Sequence, residues 1–236
     1  SKKYGFKIIE DAAHAIGGYY KDYPIGSCRF SDITVFSFHP VKIITTGEGG
    51  AALTNNNDYA KKMKLLRSHG ITRNPSEMEG NGNNLWYYEQ IDLGFNYRMN
   101  DIQATLGRSQ LLRVRSYVEK RSEIANWYDK YFSKISWIKP LIQKSERLSS
   151  YHLYVIKISL GLKARNEIVN YLRKIGIGVN VHYIPVYKQP YHRRKTFLHG
   201  AEDYYQNSIS LPIYPTITHN DMKKVVQGVL NSYKES

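Results

Sequence analysis

The sequence predicts an α/β protein in which a larger first domain is followed by a smaller α+β domain. Two observations lead to this prediction. Short apolar runs, of which Ile33–Phe38 is the clearest, alternate with helical patterns in the first part of the chain. After Pro140 the segments become shorter and follow the order strand, helix, strand. We therefore predict domains at residues 1–140 and 141–236.

The first domain contains three predicted strands and two helical regions. The strands are Phe6–Glu10, Ile33–Phe38 and Ala51–Thr54, and the helices run from Asp58 to about Ser68 and from Asn100 to about Phe132. Asp58 and Asn100 are predicted to cap their helices, and Gly70 to end the first one. The long helical region is expected to bend or restart near Gly107. Residues 71–88 are rich in Asn, Gly and Glu, which predicts a long exposed loop.

The second domain begins with a predicted strand and ends with a predicted helix. Its elements are a strand at Tyr151–Ser159, a helix at Asn166–Lys174, a strand at Gly178–Ile184, a loop rich in Pro and Tyr, and a helix from Asn220 to Tyr233. Met222, Val225 and Val229 give the last helix an apolar face.

The composition is that of an ordinary globular protein, with 42% hydrophobic and 23% charged residues. No apolar run reaches the roughly 20 residues of a membrane span, and the first residues do not form a secretory signal. A lone cysteine, Cys28, excludes an intrachain disulfide and favours a cytoplasmic location. Cys28 can be read as a nucleophile or as an ordinary thiol. The ordinary thiol is favoured because no base lies near it in sequence.

The net charge of +14 would suit a polyanionic partner such as nucleic acid, acidic lipid or a phosphorylated small molecule. The basic residues are dispersed, however, and cluster only at Lys61–Lys62, Arg193–Lys195 and Lys223–Lys224. Such short clusters are typical of solvated surfaces. We therefore predict no nucleic-acid and no membrane partner.

The start of the chain indicates that it is part of a longer protein. The first residue is Ser1, and a strand-like segment begins a few residues later. We expect the chain to begin inside a domain.

Three polar residues follow predicted strands and form the candidate chemical site. Asp11 stands at the end of the first strand, and Ser37 and Lys42 follow the second. The carboxyl ends of strands in open α/β sheets face the ligand crevice. Each residue alone is better explained as a turn or solvated residue. Their combination changes the interpretation.

The combination matches what a pyridoxal 5′-phosphate (PLP) site requires. A lysine attaches the cofactor aldehyde, a carboxylate keeps the ring nitrogen protonated, and hydroxyl or backbone N–H groups bind the phosphate. The eight histidines lack paired metal-ligand spacing, so no metal site is predicted. The glycine-rich turn Gly47–Gly50 has neither of the common nucleotide-loop spacings.

Five motifs, in order, resemble the DegT/DnrJ/StrS family of sugar aminotransferases. They are Glu10–His14, Phe36–Lys42, Thr46–Gly50, Arg67–Ile71 and Gly94–Ala104, and the resemblance continues through Val181–Pro185. It implies fold-type I: part of a mixed, mostly parallel large domain plus a small C-terminal domain. Residues 39–46 resemble the branch acting in pseudaminic-acid biosynthesis, a route to cell-surface polysaccharide, which aminates a UDP-linked 4-keto-6-deoxy sugar.

The resemblance also implies roles for individual residues. Lys42 would be the Schiff-base lysine and proton carrier, and its presence argues against the dehydratase branch, which has histidine there. The other implied cofactor residues are Asp11 at the ring nitrogen, Ala13 against the ring, His14 near the phenolic oxygen, Ser37 at the phosphate, and Asn96 at the phosphate of a neighbouring subunit in a homodimer. His182 and Tyr183 would border the nucleotide sugar or, equally, serve only domain packing.

The resemblance leaves three matters open. The family's N-terminal segment, with its phosphate-binding turn and its ring-stacking aromatic residue, has no counterpart in this sequence. The amino donor is expected to be glutamate by resemblance alone. A different nucleotide sugar or an aminocyclitol ketone is an alternative acceptor, and a regulatory relative without turnover is a further alternative, although Lys42 and Asp11 speak against it.

Overall fold

The computed structural model of the chain describes residues 1–80, 82, 84–192 and 196–233. The chain divides into two compact units, residues 1–114 and 115–236. The predicted domain boundary after residue 140 lies later in the chain. The difference arises because the long helix before Pro140 packs in the core of the second unit, where Tyr128 and Phe132 are fully buried.

The first unit contains a mixed three-stranded sheet. Its strands and helices are β1 (Ile9–Asp11), β2 (Tyr19–Tyr20), β3 (Tyr23–Pro24), β4 (Ile33–Ser37), β5 (Gly50–Leu53), α1 (Asn57–Leu66), β6 (Ile71–Thr72), β7 (Glu89–Gln90) and α2 (Asp101–Leu111). The sheet order is β1-β4-β5, with β1 parallel and β5 antiparallel to β4. Alternation along β4 buries Thr34 and Phe36 and exposes Val35, the pattern of a strand covered on one face.

The helices of the first unit begin close to where the sequence predicts. The cap of α1 is Asn56 and not Asp58: the Asn56 side chain accepts hydrogen bonds from the N–H groups of Asp58 and Tyr59. Asn100 caps α2 as predicted, and Gln103 completes a capping box.

The long helical region ends and restarts, one of the two predicted alternatives, but the break lies at residues 112–113 and not at Gly107. Helix α2 continues through Gly107 to Leu111, and the next helix begins at Val114. A Cβ atom at Gly107 would lie 2.7 Å from Thr46 Cγ2. This glycine therefore allows close packing on the loop after β4.

The second unit is built around an antiparallel sheet of order β11-β10-β8. Its elements are α3 (Val114–Phe132), which starts at the unit boundary, then β8 (Ile138–Pro140), β9 (Arg147–Leu148), β10 (Tyr154–Ile158), α4 (Gly161–Lys174), a 3-10 turn (Val186–Lys188), α5 (His199–Asn207), β11 (Ser208–Leu211) and α6 (His219–Asn231). The apolar faces of α3, α4 and α6 cover the sheet, and Ile156 and Ile209 at its centre are fully buried. Burial of these faces supplies most of the stabilisation.

The predicted strand at Gly178–Ile184 is wrong. Only Asn180 of this segment makes a β-bridge, to Ser210, and the strand that pairs with β10 on this side is β11, which was not predicted from the sequence. The four residues of β11 alternate polar and apolar side chains, Ser208 and Ser210 with Ile209 and Leu211, yet all four are buried, so the segment shows no apolar run.

The surface features agree with a dispersed positive charge. Lys61, Lys62, Lys223 and Lys224 are exposed on α1 and α6, whereas Arg193–Lys195 lie outside the described residues. Within the described ranges, no helix has the length and apolarity needed to cross a membrane. Cys28 is half-buried, and its thiol donates to the carbonyl oxygen of Leu53 at 3.2 Å.

A candidate cofactor site at the ends of two parallel strands

Asp11 and Ser37 end neighbouring parallel strands at the same side of the sheet. In the β1–β4 register Asp11 lies opposite Val35, two residues before Ser37. The Asp11 carboxylate accepts a hydrogen bond from the Ala13 N–H at 3.0 Å, and Asp11 is exposed. This local bond turns the chain after β1, so that Ala13 and His14, both half-buried, follow directly at the strand end.

The loop that carries Lys42 is closed by hydrogen bonds at its base. The Phe38 N–H donates to Gly49 O at 2.8 Å, and the Phe38 carbonyl accepts from Thr46 N–H at 3.0 Å and from the Thr45 hydroxyl at 2.9 Å. These hydrogen bonds anchor the base of the loop next to the end of β4. The roles of Thr45 and Thr46 in this closure were not predicted from the sequence.

Lys42 is fixed on both sides within this loop. Its N–H donates to His39 O at 2.9 Å, which forms a tight turn. The next residues, Ile43 and Ile44, are buried, and Lys42 itself is half-buried. The Ser37 hydroxyl accepts a weak hydrogen bond from the His39 N–H at 3.4 Å. The structure thus brings Ser37, Lys42 and Asp11 to one end of one sheet.

Asn96 lies in the same unit on a separate backbone bridge. Ser68 and Asn96 form an isolated antiparallel pair. It is flanked by hydrogen bonds from Phe95 N–H to Leu66 O at 2.6 Å and from Tyr97 N–H to Arg67 O at 2.9 Å. Asn96 is exposed. Its position is therefore set by backbone contacts with the turn after α1.

His182 and Tyr183 belong to the second unit. His182 Nδ1 and the buried Ser210 hydroxyl share a hydrogen bond of 2.7 Å, and burial lowers the pKa of His182, which favours the neutral imidazole. Tyr183 is 61% exposed. No signal in the sequence pointed to Ser210 as the partner of His182.

The loop between β6 and β7 is tied by one carboxylate. Glu89 accepts hydrogen bonds from the N–H groups of Glu79 and Gly80 and from the Tyr87 hydroxyl, at 2.7–2.8 Å. The Tyr87 bond is the main reason that the pKa of Glu89 is lowered. The exposed loop predicted at residues 71–88 is thus present, with short strands at both ends; Asn81 and Asn83 lie outside the described residues.

Comparison with known families gives one match over nearly the whole chain. The DegT/DnrJ/EryC1/StrS aminotransferase family matches residues 1–230. The chain belongs to this family. The resemblance inferred from the sequence motifs is therefore confirmed.

Similar proteins of this DegT family include both curated and structurally solved members. A UDP-4-amino-4,6-dideoxy-N-acetyl-beta-L-altrosamine transaminase of Campylobacter jejuni is 38% identical over 229 residues, 95% of this chain and 58% of that protein. A Helicobacter pylori aminotransferase involved in pseudoaminic acid biosynthesis is 34% identical, with a TM-score of 0.89 over 98% of this chain and 60% of that one. The chain spans about 60% of the length of the solved relative.

A third relative bears on the cofactor. A Streptococcus pneumoniae protein provisionally assigned as a sugar aminotransferase, solved in its PLP form, is 31% identical, with a TM-score of 0.83 over 97% of this chain and 59% of that one. These structural matches confirm the predicted fold class, a partial fold-type I large domain followed by a small α+β domain.

Proposed function

We propose that the full-length protein is a PLP-dependent aminotransferase that transfers an amine from glutamate to a UDP-linked 4-keto-6-deoxy sugar. The observation that carries the proposal is the common location of Asp11, Ser37 and Lys42 at the end of the paired strands β1 and β4. Membership of an aminotransferase family supports the reaction class. The Campylobacter and Helicobacter relatives support the choice of acceptor.

The donor set at this end of the sheet fits PLP. A carboxylate, an amine and a hydroxyl are the three side-chain types that the ring nitrogen, the aldehyde and the phosphate require. Asp11 would hold the pyridine nitrogen, Lys42 the aldehyde, and Ser37 the phosphate, with Ala13 and His14 beside the ring. When bound, PLP supplies an electron sink that stabilises negative charge at the amine-bearing carbon.

The chain's own residues would then hold and move protons. The Asp11 carboxylate would keep a proton on the ring nitrogen, because an adjacent negative charge favours the cationic form. Lys42 Nζ would take a proton from one carbon and return it to another, acting as base and then as acid. The hydrogen bonds at the base of the loop support this role, because they restrict the segment that carries Lys42.

Peptide mapping of the full-length protein tests the assignment of Lys42. Borohydride reduction fixes PLP to the lysine that carries it, and mass spectrometry should locate the label on Lys42. The Lys42→Ala variant should lose the label and the activity. The exposed helix residue Lys64 provides the control, because Lys64→Ala should retain both. A label on another lysine in the wild-type protein would overturn the assignment.

The substrate proposal needs a two-stage assay with the same protein. Glutamate alone should convert the bound cofactor to its amine form and bleach its visible absorbance. A UDP-linked 4-keto sugar should then restore the absorbance and yield the amino sugar. If another nucleotide-linked ketone or an aminocyclitol ketone restores the absorbance and the UDP sugar does not, the proposed acceptor is wrong.

We also propose that the enzyme is a homodimer in which Asn96 completes the phosphate site of the partner subunit. A two-fold interface is self-complementary, so each subunit would give and receive one such residue. Mixing Lys42→Ala with Asn96→Ala subunits tests this idea. If the sites are shared, each mixed dimer regains one intact site and activity rises on mixing. Mixed dimers that form without any gain in activity would show that Asn96 does not act across the interface.

A further inference from the structure

The segment 182–188 is held at both ends by one continuous piece of the second unit. That piece consists of α5 and β11, which follow each other without a break. At the first end, His182 shares a hydrogen bond with Ser210 of β11, and Asn180 exchanges two backbone hydrogen bonds with the same serine. At the second end, Lys188 and Tyr187 bind Glu202 of α5.

Glu202 is a buried carboxylate that three donors satisfy. Its side chain is 4% exposed, and it accepts from Lys188 Nζ at 2.5 Å, from the Tyr187 hydroxyl at 2.9 Å and from Gln206 Nε2 at 3.4 Å. The Lys188 contact is the main reason that the pKa of Glu202 is lowered. A buried charge is costly unless it is paired, so this carboxylate strongly favours the conformation in which Lys188 and Tyr187 reach it.

The aromatic ring of Tyr205 reinforces the second anchor. The Lys188 ammonium lies 5.4 Å from the ring centroid, and the guanidinium of the buried Arg165 lies 5.5 Å from it. Arg165 also donates to the carbonyl oxygens of Tyr205 and Gln206 at 3.1 Å. Lys188 is thus fixed by a carboxylate and by a ring that is itself held in place.

Between the two anchors three large apolar side chains are exposed. Tyr183 is 61% exposed, Ile184 47% and Val186 64%. Apolar side chains held outward on a doubly anchored segment are available to a ligand, and their positions depend on the anchors because burial does not fix them.

We propose that Glu202 is a positioning residue for the acceptor substrate: through Lys188 and Tyr187 it fixes segment 182–188 and thereby the orientation of Tyr183. This inference rests on the proposed function and on the role that the family resemblance implies for His182 and Tyr183, at the border of the nucleotide sugar. Glu202 itself touches no substrate in this assignment. It acts only through the segment that it anchors.

The test compares Glu202→Gln with Asp203→Asn in the full-length enzyme. Asp203 is the next residue of α5 and pairs with Lys157 of β10 at 2.5 Å, so its variant also removes one ion pair from this helix but leaves segment 182–188 untouched. In Glu202→Gln, amide exchange of peptides covering residues 182–188 should accelerate about tenfold or more, the effect of losing a hydrogen-bonded charge. In Asp203→Asn it should stay at the wild-type rate.

Kinetics provide the second measurement. Glu202→Gln should raise KM for the keto sugar about fivefold or more, with kcat and the glutamate half-reaction within about twofold of wild type. Tyr187→Phe removes one donor and keeps the ion pair, so it should raise both the amide exchange rate and KM, by less than Glu202→Gln does. It replaces Glu202→Gln if that variant does not fold.

The outcomes separate this inference from the proposed function. If the wild-type enzyme reacts with neither glutamate nor the UDP sugar, the proposed function fails. If the wild type is active but Glu202→Gln matches Asp203→Asn in exchange or in KM, the positioning role of Glu202 is wrong. An equal loss in the glutamate half-reaction would likewise overturn it, because the defect would then be general.

Discussion

Gly70 and Gly94 let two backbone segments approach more closely than side chains would permit. Gly70 has a φ of +68°, and a Cβ atom there would lie 1.9 Å from Asp92 O. A Cβ atom at Gly94 would lie 2.1 Å from Gly70 N. Real Cβ contacts essentially never fall below 3.0 Å, so Gly70→Ala must push the segments apart by about 1 Å. The displaced segment carries Asn96.

The expected loss of stability has two parts. A left-handed conformation costs a non-glycine residue about 1–2 kcal/mol. Separation also strains the hydrogen bonds from Ile91 N–H to Gly70 O and from His69 N–H to Phe95 O, at 2.9 and 2.8 Å, each worth about 0.5–1.5 kcal/mol net. We expect Gly70→Ala to lower the free energy of unfolding of the first unit by about 2–5 kcal/mol.

Gly47 offers a matched control in the same unit. Its φ is +81°, and nothing lies within 4 Å of its Cβ position, so Gly47→Ala should cost only the conformational part, about 1–2 kcal/mol. Hydrogen exchange of peptides within residues 1–114, followed in increasing urea, measures the free energy of unfolding of this unit in both variants. Equal losses in the two variants would refute the steric argument.

Three further predictions concern the site, the core and acid sensitivity. Asp11→Asn should slow transamination about 10²-fold or more while the fold persists; near wild-type turnover at normal cofactor content would remove Asp11 from the site. Ile156→Ala, at a fully buried position, should lower the free energy of unfolding by about 2–5 kcal/mol in urea, whereas Ile175→Ala, at a 47% exposed position, should cost less than about 1.5 kcal/mol. Because the pKa of Glu202 is lowered from its ordinary 4.5, its stabilisation is complete above that value and is lost as the pH falls through the lowered pKa. The free energy of unfolding should therefore fall less steeply with decreasing pH in Glu202→Gln than in wild type. An equal pH dependence in the two proteins would contradict this.

Local sequence signals were sufficient to predict most helices and strands that bury a regular apolar pattern. The strand at Ile33–Ser37 and the cap at Asn100 appear where predicted, because strand alternation and the capping box are properties of a few neighbouring residues. The motif resemblance gave the family, which the match over residues 1–230 confirms.

Features that depend on residues far apart in the chain could not be predicted from local patterns. Gly107 was expected to mark a bend or restart of the helix. Its lack of a side chain instead allows close contact with Thr46, which lies far away in the chain. The observed boundary between the units differs from the predicted one because α3 packs on the sheet of the second unit. The apolar periodicity of a helix does not show which sheet it packs on. Strand β11 was missed because it is only four residues long and because Ser208 and Ser210 are polar, although the folded second unit buries both.

The candidate site shows the same division. The sequence by itself determined the chemical types, a carboxylate after one strand and a hydroxyl and an amine after another, because these are fixed by residue identity and order. Only the tertiary structure decided that β1 and β4 are parallel neighbours, which places Asp11 and Ser37 at one end of the sheet. It also decided that Glu202 and Ser210 hold the segment of His182 and Tyr183, since hydrogen bonds between residues so far apart in sequence form only after the chain has folded.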